Sequence, residues 1–145
     1  MPQEPSLRPL NIVLFGASGM VGGGVLLHLL DDPDVASVLS VGRRPSGLNH
    51  PKLSELLRTD FFDYSDAKER LRGFDACFFT LGRSSVGLSE AEYTRDTFDL
   101  TLAAAKTLIE LNPGMSFCYV SGKGTDNSEK GKIMWARVKG RTENA

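Results

Sequence analysis

The chain has 145 residues, a formal net charge of −1 and 41% hydrophobic residues, which is the size of one domain with a full hydrophobic core. The near-zero charge does not favour nucleic acid or an anionic membrane surface as a partner. No apolar run approaches the ~20 residues of a membrane-spanning helix. Residues 1–9 contain three prolines, and they predict a short flexible tail without the features of a signal peptide.

Alternating apolar runs and turn residues predict alternating strands and helices. The predicted strands are Asn11–Phe15, Val35–Val41, Leu53–Thr59, Asp75–Leu81 and Met115–Val120. The predicted helices are Met20–Leu30, Ser65–Leu71, a long helix from Ser89 to Leu111 that starts with a Ser89/Glu92 capping box, and a last helix from Lys132 onward. This alternation calls for parallel strands and right-handed crossovers. We therefore predict a three-layer α/β Rossmann fold over residues 10–145, with sheet order 3-2-1-4-5 and helices on both faces.

The stretch Gly16-Ala17-Ser18-Gly19-Met20-Val21-Gly22 is the most informative motif, because it joins the first strand to the first helix. In a dinucleotide site the first glycine allows the sharp turn, the second lets a pyrophosphate approach the backbone, and the third lets the helix pack against the sheet. The free N–H groups of the first helical turn then bind the anion. The predicted phosphate contacts are Gly16, Ser18, Gly19, Met20, Val21 and Gly22. A purely structural turn is the alternative.

Arg43 and Arg44 follow the second strand, where this fold faces the adenosine ribose. An acidic residue there would bond the 2′-hydroxyl and repel a 2′-phosphate, whereas guanidinium groups bind phosphate in bidentate pairs. We therefore expect a preference for NADP over NAD; the alternative is two solvated arginines before a proline turn.

Further cofactor contacts are expected at the ends of strands three and four. Asp60 is placed to bond the adenine amino group and Phe61 to line its ring. Leu81 and Gly82 stand at the switch point of the sheet, where a glycine lets the backbone approach a ligand. A plain turn explains the last pair nearly as well.

Cysteine and histidine usage predicts no metal site. Cys77 and Cys118 both lie in apolar runs, and we interpret them as buried reduced thiols. His28 and His50 have no metal-ligand spacing. A cytoplasmic protein without a metal is the expectation.

The order of these motifs resembles that of extended and atypical short-chain dehydrogenases/reductases. The resemblance runs through Gly-Ala-Ser-Gly-Met-Val-Gly, Val-Gly-Arg-Arg-Pro, Asp-Phe-Phe-Asp, Phe-Asp-Ala-Cys-Phe-Phe and Tyr-Val-Ser-Gly. The C-terminal Met-Trp-Ala-Arg-Val-Lys-Gly-Arg-Thr-Glu-Asn is similar to the branch of Tat-interacting oxidoreductase-like and NAD-dependent epimerase/dehydratase-like proteins. The resemblance covers about residues 10–145. It implies an NADP or NAD cofactor and a carbonyl or sugar-like substrate of unknown identity.

The resemblance also implies catalytic positions, with departures. The family's Tyr-x-x-x-Lys pair reads Trp135-Ala-Arg-Val-Lys139 here, so the proton-handling tyrosine is replaced by an indole, while Lys139 keeps its place on the nicotinamide ribose. Ser121 stands at the position of the substrate-polarising hydroxyl, with Gly122 as the alternative register. Thr97 or a neighbour replaces the family's asparagine. Ser121 and Lys139 are therefore the predicted catalytic residues.

Family members usually continue beyond the point where this sequence stops, so we expect the substrate-binding C-terminal part to be absent. Three functions stay open: an NADP-dependent oxidoreductase-like domain, a non-catalytic nucleotide-sensing module that regulates a protein partner, and an epimerase half-domain. The third is ranked last because it needs the missing tyrosine most. The open sheet edges also leave a homodimer as an alternative.

Overall fold

A five-stranded parallel sheet forms the centre of the protein. The structure is a computed structural model, which describes residues 7–145. The strands are β1 (Leu10–Phe15), β2 (Val35–Gly42), β3 (Leu53–Leu57), β4 (Ala76–Phe79) and β5 (Ser116–Tyr119). The helices are α1 (Met20–Asp31), α2 (Glu90–Thr94), α3 (Leu100–Leu111) and α4 (Met134–Asn144), with a 3₁₀ turn at Lys68–Leu71 and a π-helical turn at Arg95–Asp99. The predicted tail lies outside the described residues except for residues 7–9.

The strand order is β3-β2-β1-β4-β5 and every pairing is parallel, which confirms the predicted Rossmann topology. The order reverses at β1, whose last residue Phe15 is in register with both Val41 of β2 and Phe79 of β4. The carboxyl ends of these three strands therefore meet at one edge of the sheet, where open α/β sheets bind ligands.

Two hydrophobic clusters cover the two faces of the sheet. On one face, Val13, Phe15 and Phe79 pack with Ala104 and Leu108 of α3. On the other face, Ile12 and Leu14 pack with Leu26 and Leu29 of α1. Successive residues of β1 thus alternate between the clusters, as the period of two in a strand requires. The result is the predicted arrangement of a sheet between two helical layers.

The long helix predicted from Ser89 to Leu111 is present, but a π-helical turn interrupts it. Its start is fixed by the predicted capping box, in which Ser89 Oγ accepts from the backbone N–H of Glu92 and the Glu92 carboxylate accepts from the Ser89 backbone. The π turn adds a residue to the helical repeat and so changes which side chains face the sheet. Such turns often occur at functional sites.

Three local predictions are corrected by the structure. The predicted helix Ser65–Leu71 is only the 3₁₀ turn Lys68–Leu71, because the preceding loop is held by side-chain contacts to its own backbone. The last helix starts at Met134 and not at Lys132. Cys118 is exposed, whereas Cys77 is buried. β5 is an edge strand whose residues alternate between two faces of the sheet. Phe117 packs on the covered face, whereas Cys118 lies on the opposite face, which no other described segment covers at this edge.

In the described part of the chain, no helix combines the length and apolar character that crossing a membrane requires.

Candidate functional site

The glycine turn between β1 and α1 forms an open helix N-terminus. Gly16 has φ +88°, a left-handed conformation that favours glycine, and its carbonyl accepts from the Gly19 N–H at 3.0 Å. Gly19 is the N-cap of α1, without a side-chain capping bond, and the first turn of α1 contains no acidic residue. Ser18, Gly19 and Met20 are exposed. The helix N-terminus therefore faces solvent with its N–H groups, as a phosphate site requires.

Close packing within the turn explains two of its three glycines. A Cβ at Gly22 would lie 2.0 Å from the Gly16 carbonyl oxygen and 2.5 Å from Thr80 Oγ1. A Cβ at Gly16 would lie 2.5 Å from the same Thr80 oxygen. At Gly19 the nearest atom would be the Gly16 oxygen at 3.4 Å. The absence of a side chain at Gly19 is thus not demanded by the fold, and it leaves the outer side of the turn free for a ligand.

Thr80 connects the glycine turn to the end of β4, and the sequence analysis missed it. Its Oγ1 donates to the Phe15 carbonyl at 2.6 Å, and its backbone N–H donates to the same oxygen at 3.0 Å. These bonds fix the end of β1 against the end of β4. The sequence signal for this contact is a short hydroxyl-bearing side chain at the end of a strand that is predicted to be buried.

A cavity of about 490 Å³ opens at the carboxyl edge of the sheet. No residue of the glycine turn lines it, but its lining residue Leu81 adjoins the turn, because a Cβ at Gly16 would lie 3.0 Å from the Leu81 backbone nitrogen. It is lined by Arg43, Thr59, Phe61, Phe62, Leu81, Gly82, Arg83, Asp96 and Leu100. Four of these residues, Arg43, Phe61, Leu81 and Gly82, were predicted as cofactor contacts. The structure brings these four together, and it adds Arg83 and Asp96, which the sequence analysis did not single out.

Arg43 and Arg44 are both exposed beyond the end of β2. Within residues 7–145 neither guanidinium group forms an ion pair. Of these two arginines, only Arg43 lines the cavity. Arg43 therefore presents an uncompensated positive charge at the cavity, while Arg44 lies outside its lining.

Asp60 lies beside the cavity but not in its lining. Its Oδ1 accepts from the backbone N–H groups of Phe62 at 2.8 Å and Asp63 at 3.2 Å, so this oxygen stabilises its own loop. The same loop is held by Arg58, which donates to the carbonyl oxygens of Asp60 and Asp63. Arg58 also stacks on the Tyr64 ring, 4.7 Å from its centroid. Phe61, in contrast, is buried and reaches both the core and the cavity.

A charged network of Arg83, Arg95 and Asp96 lies at the cavity, whose lining includes Arg83 and Asp96. Arg83 Nη1 donates to Asp96 Oδ2 at 2.5 Å, and Arg95 Nη1 lies 3.6 Å from Asp96 Oδ1. The Arg95 guanidinium lies 4.1 Å from the centroid of the Phe62 ring. Asp96 and Arg95 both belong to the π turn, so the extra residue of this turn places the network at the cavity.

The predicted catalytic residues lie near each other, Ser121 in the loop after β5 and Lys139 on α4, where a Cβ at Gly122 would lie 3.8 Å from Lys139 Cδ. The Ser121 hydroxyl donates to the Glu143 carboxylate, and Lys139 Nζ lies 5.7 Å from the centroid of the Tyr119 ring. Burial lowers the pKa of Lys139, while the charge of Glu143 opposes this shift. The hydrogen bond from Ser121 and a second one from Asn127 lower the pKa of Glu143. Glu143 is therefore an anion at neutral pH, and it orients the Ser121 hydroxyl.

Trp135 occupies the first turn of α4, one turn before Lys139. It is partly buried, and a Cβ at Gly124 would lie 3.7 Å from its ring, so the indole faces the loop that follows β5. Burial raises the pKa of the nearby Tyr119 to about 12. Thr97, predicted to replace the family's asparagine, is buried within the π turn.

The loop between β5 and α4 is fixed to α4 by Asp126. Its backbone N–H donates to the Ala136 carbonyl at 2.9 Å, and its carboxylate accepts from the backbone N–H groups of Ser128 and Gly131. A Cβ at Gly140 would lie 1.9 Å from the Asp126 carbonyl oxygen. Gly140 therefore allows the loop to lie directly on the helix, which sets the position of the segment that starts at Ser121.

The strand order and the glycine turn together define the Rossmann-type α/β fold. The chain has this fold, and the resemblance seen in the sequence is confirmed at that level. No family model matches the chain.

Among proteins of known sequence, the chain is similar to leucinostatins biosynthesis cluster protein T of Purpureocillium lilacinum, with 29% identity over 118 residues, covering 79% of this chain and 44% of that protein. It is also similar to protein fmp52, mitochondrial, of Emericella nidulans, with 29% identity over 140 residues, covering 92% of this chain and 58% of that protein. The chain thus spans about half the length of the curated relatives it matches.

Solved structures show the same fold at lower identity. A short-chain dehydrogenase family protein from Francisella tularensis superposes with a TM-score of 0.70 and 17% identity, covering 94% of this chain and 61% of that one. UDP-glucose 4-epimerase from Thermotoga maritima gives 0.71 and 18%, covering 93% and 49%. UDP-glucuronic acid 4-epimerase from Bacillus cereus, solved in complex with NAD, gives 0.71 and 15%, covering 93% and 50%.

Proposed function

We propose that the chain binds a nicotinamide dinucleotide and prefers NADP to NAD. The observation that carries this proposal is the open N-terminus of α1 at Gly19, next to a cavity that carries the uncompensated charge of Arg43. The solved structure with NAD bound that has this fold supports the same class of ligand.

The residues present fit such a cofactor. Backbone N–H groups in the first turn of α1, at residues 20–22, would hold the pyrophosphate, because the space beside Gly19 that a side chain would fill is open. Arg43 would bind the 2′-phosphate, and Phe61 with Leu81 would line the adenosine end. Lys139 would lie on the nicotinamide ribose. When bound, the cofactor supplies a hydride donor or acceptor.

Two variants test the two parts of the proposal. Gly19→Val fills the space over the pyrophosphate, so it should abolish binding of both NADPH and NADH. Arg43→Asp reverses the charge at the 2′-phosphate, so it should remove the preference for NADPH and leave NADH binding. A charge-assisted pair is worth roughly 1.5–3 kcal/mol, or about 10- to 150-fold in affinity. Gly24→Ala is the matched control, because a Cβ there meets nothing within 4 Å.

Unchanged NADPH affinity in Arg43→Asp would show that Arg43 does not bind the phosphate. Survival of binding in Gly19→Val would show that the glycine turn is structural. Both titrations are read by isothermal calorimetry on variants whose thermal midpoints match that of the wild type.

Hydride transfer to a carbonyl or sugar-like substrate is the first function that such binding would serve, with Ser121 and Lys139 as catalytic residues. The second candidate is a nucleotide-sensing module that regulates a protein partner. Two features of the expected proton-transfer residues favour the second candidate: Trp135 stands in place of tyrosine, and the Ser121 hydroxyl donates to Glu143. Oxidation of NADPH in the presence of a panel of aldehydes, ketones and sugar nucleotides separates the two. Turnover that Ser121→Ala abolishes supports catalysis; binding without turnover supports the sensor.

A further inference from the structure

The segment that follows β5 runs along α4, and its contacts show which residue of the helix each of its own residues lies beside. At one end, Ser121 donates to the carboxylate of Glu143, in the last turn of α4. At the other end, a Cβ at Gly124 would lie 3.7 Å from the ring of Trp135, in the first turn. The helix rises about 12 Å from position 135 to position 143, and the chain spans about 10 Å from position 121 to position 124 when extended. The segment therefore lies antiparallel to α4.

This arrangement places the Ser121 hydroxyl away from the place where proton transfer is expected. The family's tyrosine would stand at Trp135, whereas Ser121 is bonded to Glu143, two helical turns farther along α4. Asn127 donates to the second carboxylate oxygen of Glu143 at 2.8 Å. Both oxygens of Glu143 thus fix the loop to the helix, and the hydroxyl hydrogen of Ser121 is used in this contact.

Lys123 is the residue of the segment that comes beside the first two turns of α4. Its neighbour Gly122 adjoins Lys139, and its other neighbour, Gly124, adjoins Trp135. Gly124 has φ +89°, so the chain turns at this point. Lys123 is exposed, and within residues 7–145 its ammonium group forms no ion pair. A free cation thus lies beside the position of the missing tyrosine.

The acidic residue of the same loop that is nearest in sequence does not neutralise this cation. Asp126 accepts from the backbone N–H of Ser128 at 3.0 Å and from that of Gly131 at 2.6 Å, one on each carboxylate oxygen. Its charge therefore stabilises its own turn. Lys130 is exposed as well, but it belongs to the turn that Asp126 closes and not to the segment along α4, so it provides a matched control.

We propose that Lys123 donates the proton that the missing tyrosine cannot supply, while Ser121 and Glu143 position the segment that carries it. This inference rests on the proposed dinucleotide binding and hydride transfer. In the reduction of a carbonyl compound, the carbonyl carbon receives a hydride from the bound cofactor, and the electron pair of the C=O π bond moves to oxygen. The oxygen then takes a proton from the Lys123 ammonium group. The neutral amine that remains is reprotonated by solvent.

Lysine variants test the proton donor, with oxidation of NADPH at 340 nm in the presence of a panel of aldehydes, ketones and sugar nucleotides. Lys123→Met should lower kcat/KM by about 100-fold or more, which is the contribution of a general acid, whereas Lys130→Met should keep the wild-type value. Lys123→Arg keeps the charge, but a guanidinium group does not release its proton in proteins, so this variant should lose turnover as well. Wild-type turnover in Lys123→Arg would overturn proton donation.

Thermal unfolding tests the positioning contact without any turnover. Ser121→Ala removes a hydrogen bond to a carboxylate, so it should lower the thermal midpoint by about 3–6 °C. In a Glu143→Ala background the same substitution should have little effect, because the acceptor is already absent. Lys123→Met should keep the wild-type midpoint. Equal effects of Ser121→Ala in both backgrounds would show that the two residues are not coupled, and would overturn the arrangement along α4.

The outcomes distinguish this inference from the proposed function. If the wild type binds neither NADPH nor NADH, the proposed function fails and the inference falls with it. If the wild type binds NADPH but turns over no member of the panel, Lys123 is not a working proton donor, while dinucleotide binding stands. If Lys123→Met keeps full turnover and Ser121→Ala abolishes it, Ser121 itself faces the substrate, and the inference is overturned while the proposed hydride transfer stands.

Discussion

The variant Gly22→Ala tests whether the glycine turn depends on close packing of α1 against the end of the sheet. In Gly22→Ala the new Cβ would lie 2.0 Å from the Gly16 carbonyl oxygen and 2.5 Å from Thr80 Oγ1, whereas a carbon–oxygen contact needs about 3.3 Å. The helix must therefore retreat from the turn by more than about 1 Å. Overpacking of this kind costs roughly 1–3 kcal/mol, and we take the upper end because a backbone carbonyl cannot rotate away as a side chain can.

The gain in helix propensity offsets part of this cost. Alanine in place of glycine favours a helix by about 1 kcal/mol, which leaves a net loss of about 2 kcal/mol, or a fall of roughly 5–8 °C in thermal midpoint for a domain of this size. Gly24→Ala, two residues later on the exposed face, has the same gain without the clash. It should raise the midpoint by about 3 °C.

Differential scanning calorimetry of the wild type and both variants measures this difference. Equal stability of Gly22→Ala and Gly24→Ala would refute the close packing at Gly22, because the two substitutions differ only in the atoms that the added methyl group contacts. A lowered stability in both would instead show that α1 does not tolerate alanine for reasons unrelated to the turn.

Three further predictions follow from the loop after β5 and from the start of the sheet. Gly140→Ala places a methyl group 1.9 Å from the Asp126 carbonyl oxygen and should lower the thermal midpoint by several degrees; an unchanged midpoint would contradict that packing. Trp135→Tyr should confer or raise NADPH-dependent reduction of carbonyl compounds, measured at 340 nm, if α4 holds the tyrosine in the family's position, and no change would exclude that position. The backbone N–H of Asn11 and the Arg8 guanidinium lower the pKa of Asp75 below the usual range of an aspartate, so the stability from this carboxylate is fully present above the unfolded-state pKa of about 4 and is lost as the pH falls through the folded-state pKa. Urea unfolding against pH should therefore show a weaker acid dependence in Asp75→Asn, and an unchanged dependence would contradict this.

The parts of the fold that could be predicted are those that local chemistry and topology rules determine. The turn at Gly16 needs a positive φ that glycine supplies, and the capping box at Ser89 is complete within four residues. The sheet order follows from parallel strands joined by right-handed crossovers. These features depend on neighbouring residues or on general rules, and therefore appear in a single sequence.

The missed features depend on contacts between distant segments. Asp96 reaches the cavity because the π turn adds a residue to a helix whose apolar pattern in the sequence is regular. Its ion-pair partner Arg83 is 13 residues away in the chain. Thr80 has a role only because Phe15 ends beside it. Cys118 has the same apolar neighbours as a buried residue, but its strand lies at the sheet edge. No local pattern contains this information.

We propose above all that the open turn at Gly19 and the cavity lined by Arg43 hold a nicotinamide dinucleotide with a 2′-phosphate. A parallel titration of the wild type with NADPH and NADH tests this binding most directly, with the fluorescence of Trp135, the one tryptophan of the chain, as the signal and calorimetry as the check. Both dinucleotides should bind saturably, NADPH about tenfold or more tightly than NADH. Binding of neither dinucleotide by calorimetry would contradict the proposed site, and equal affinities would contradict the role of Arg43.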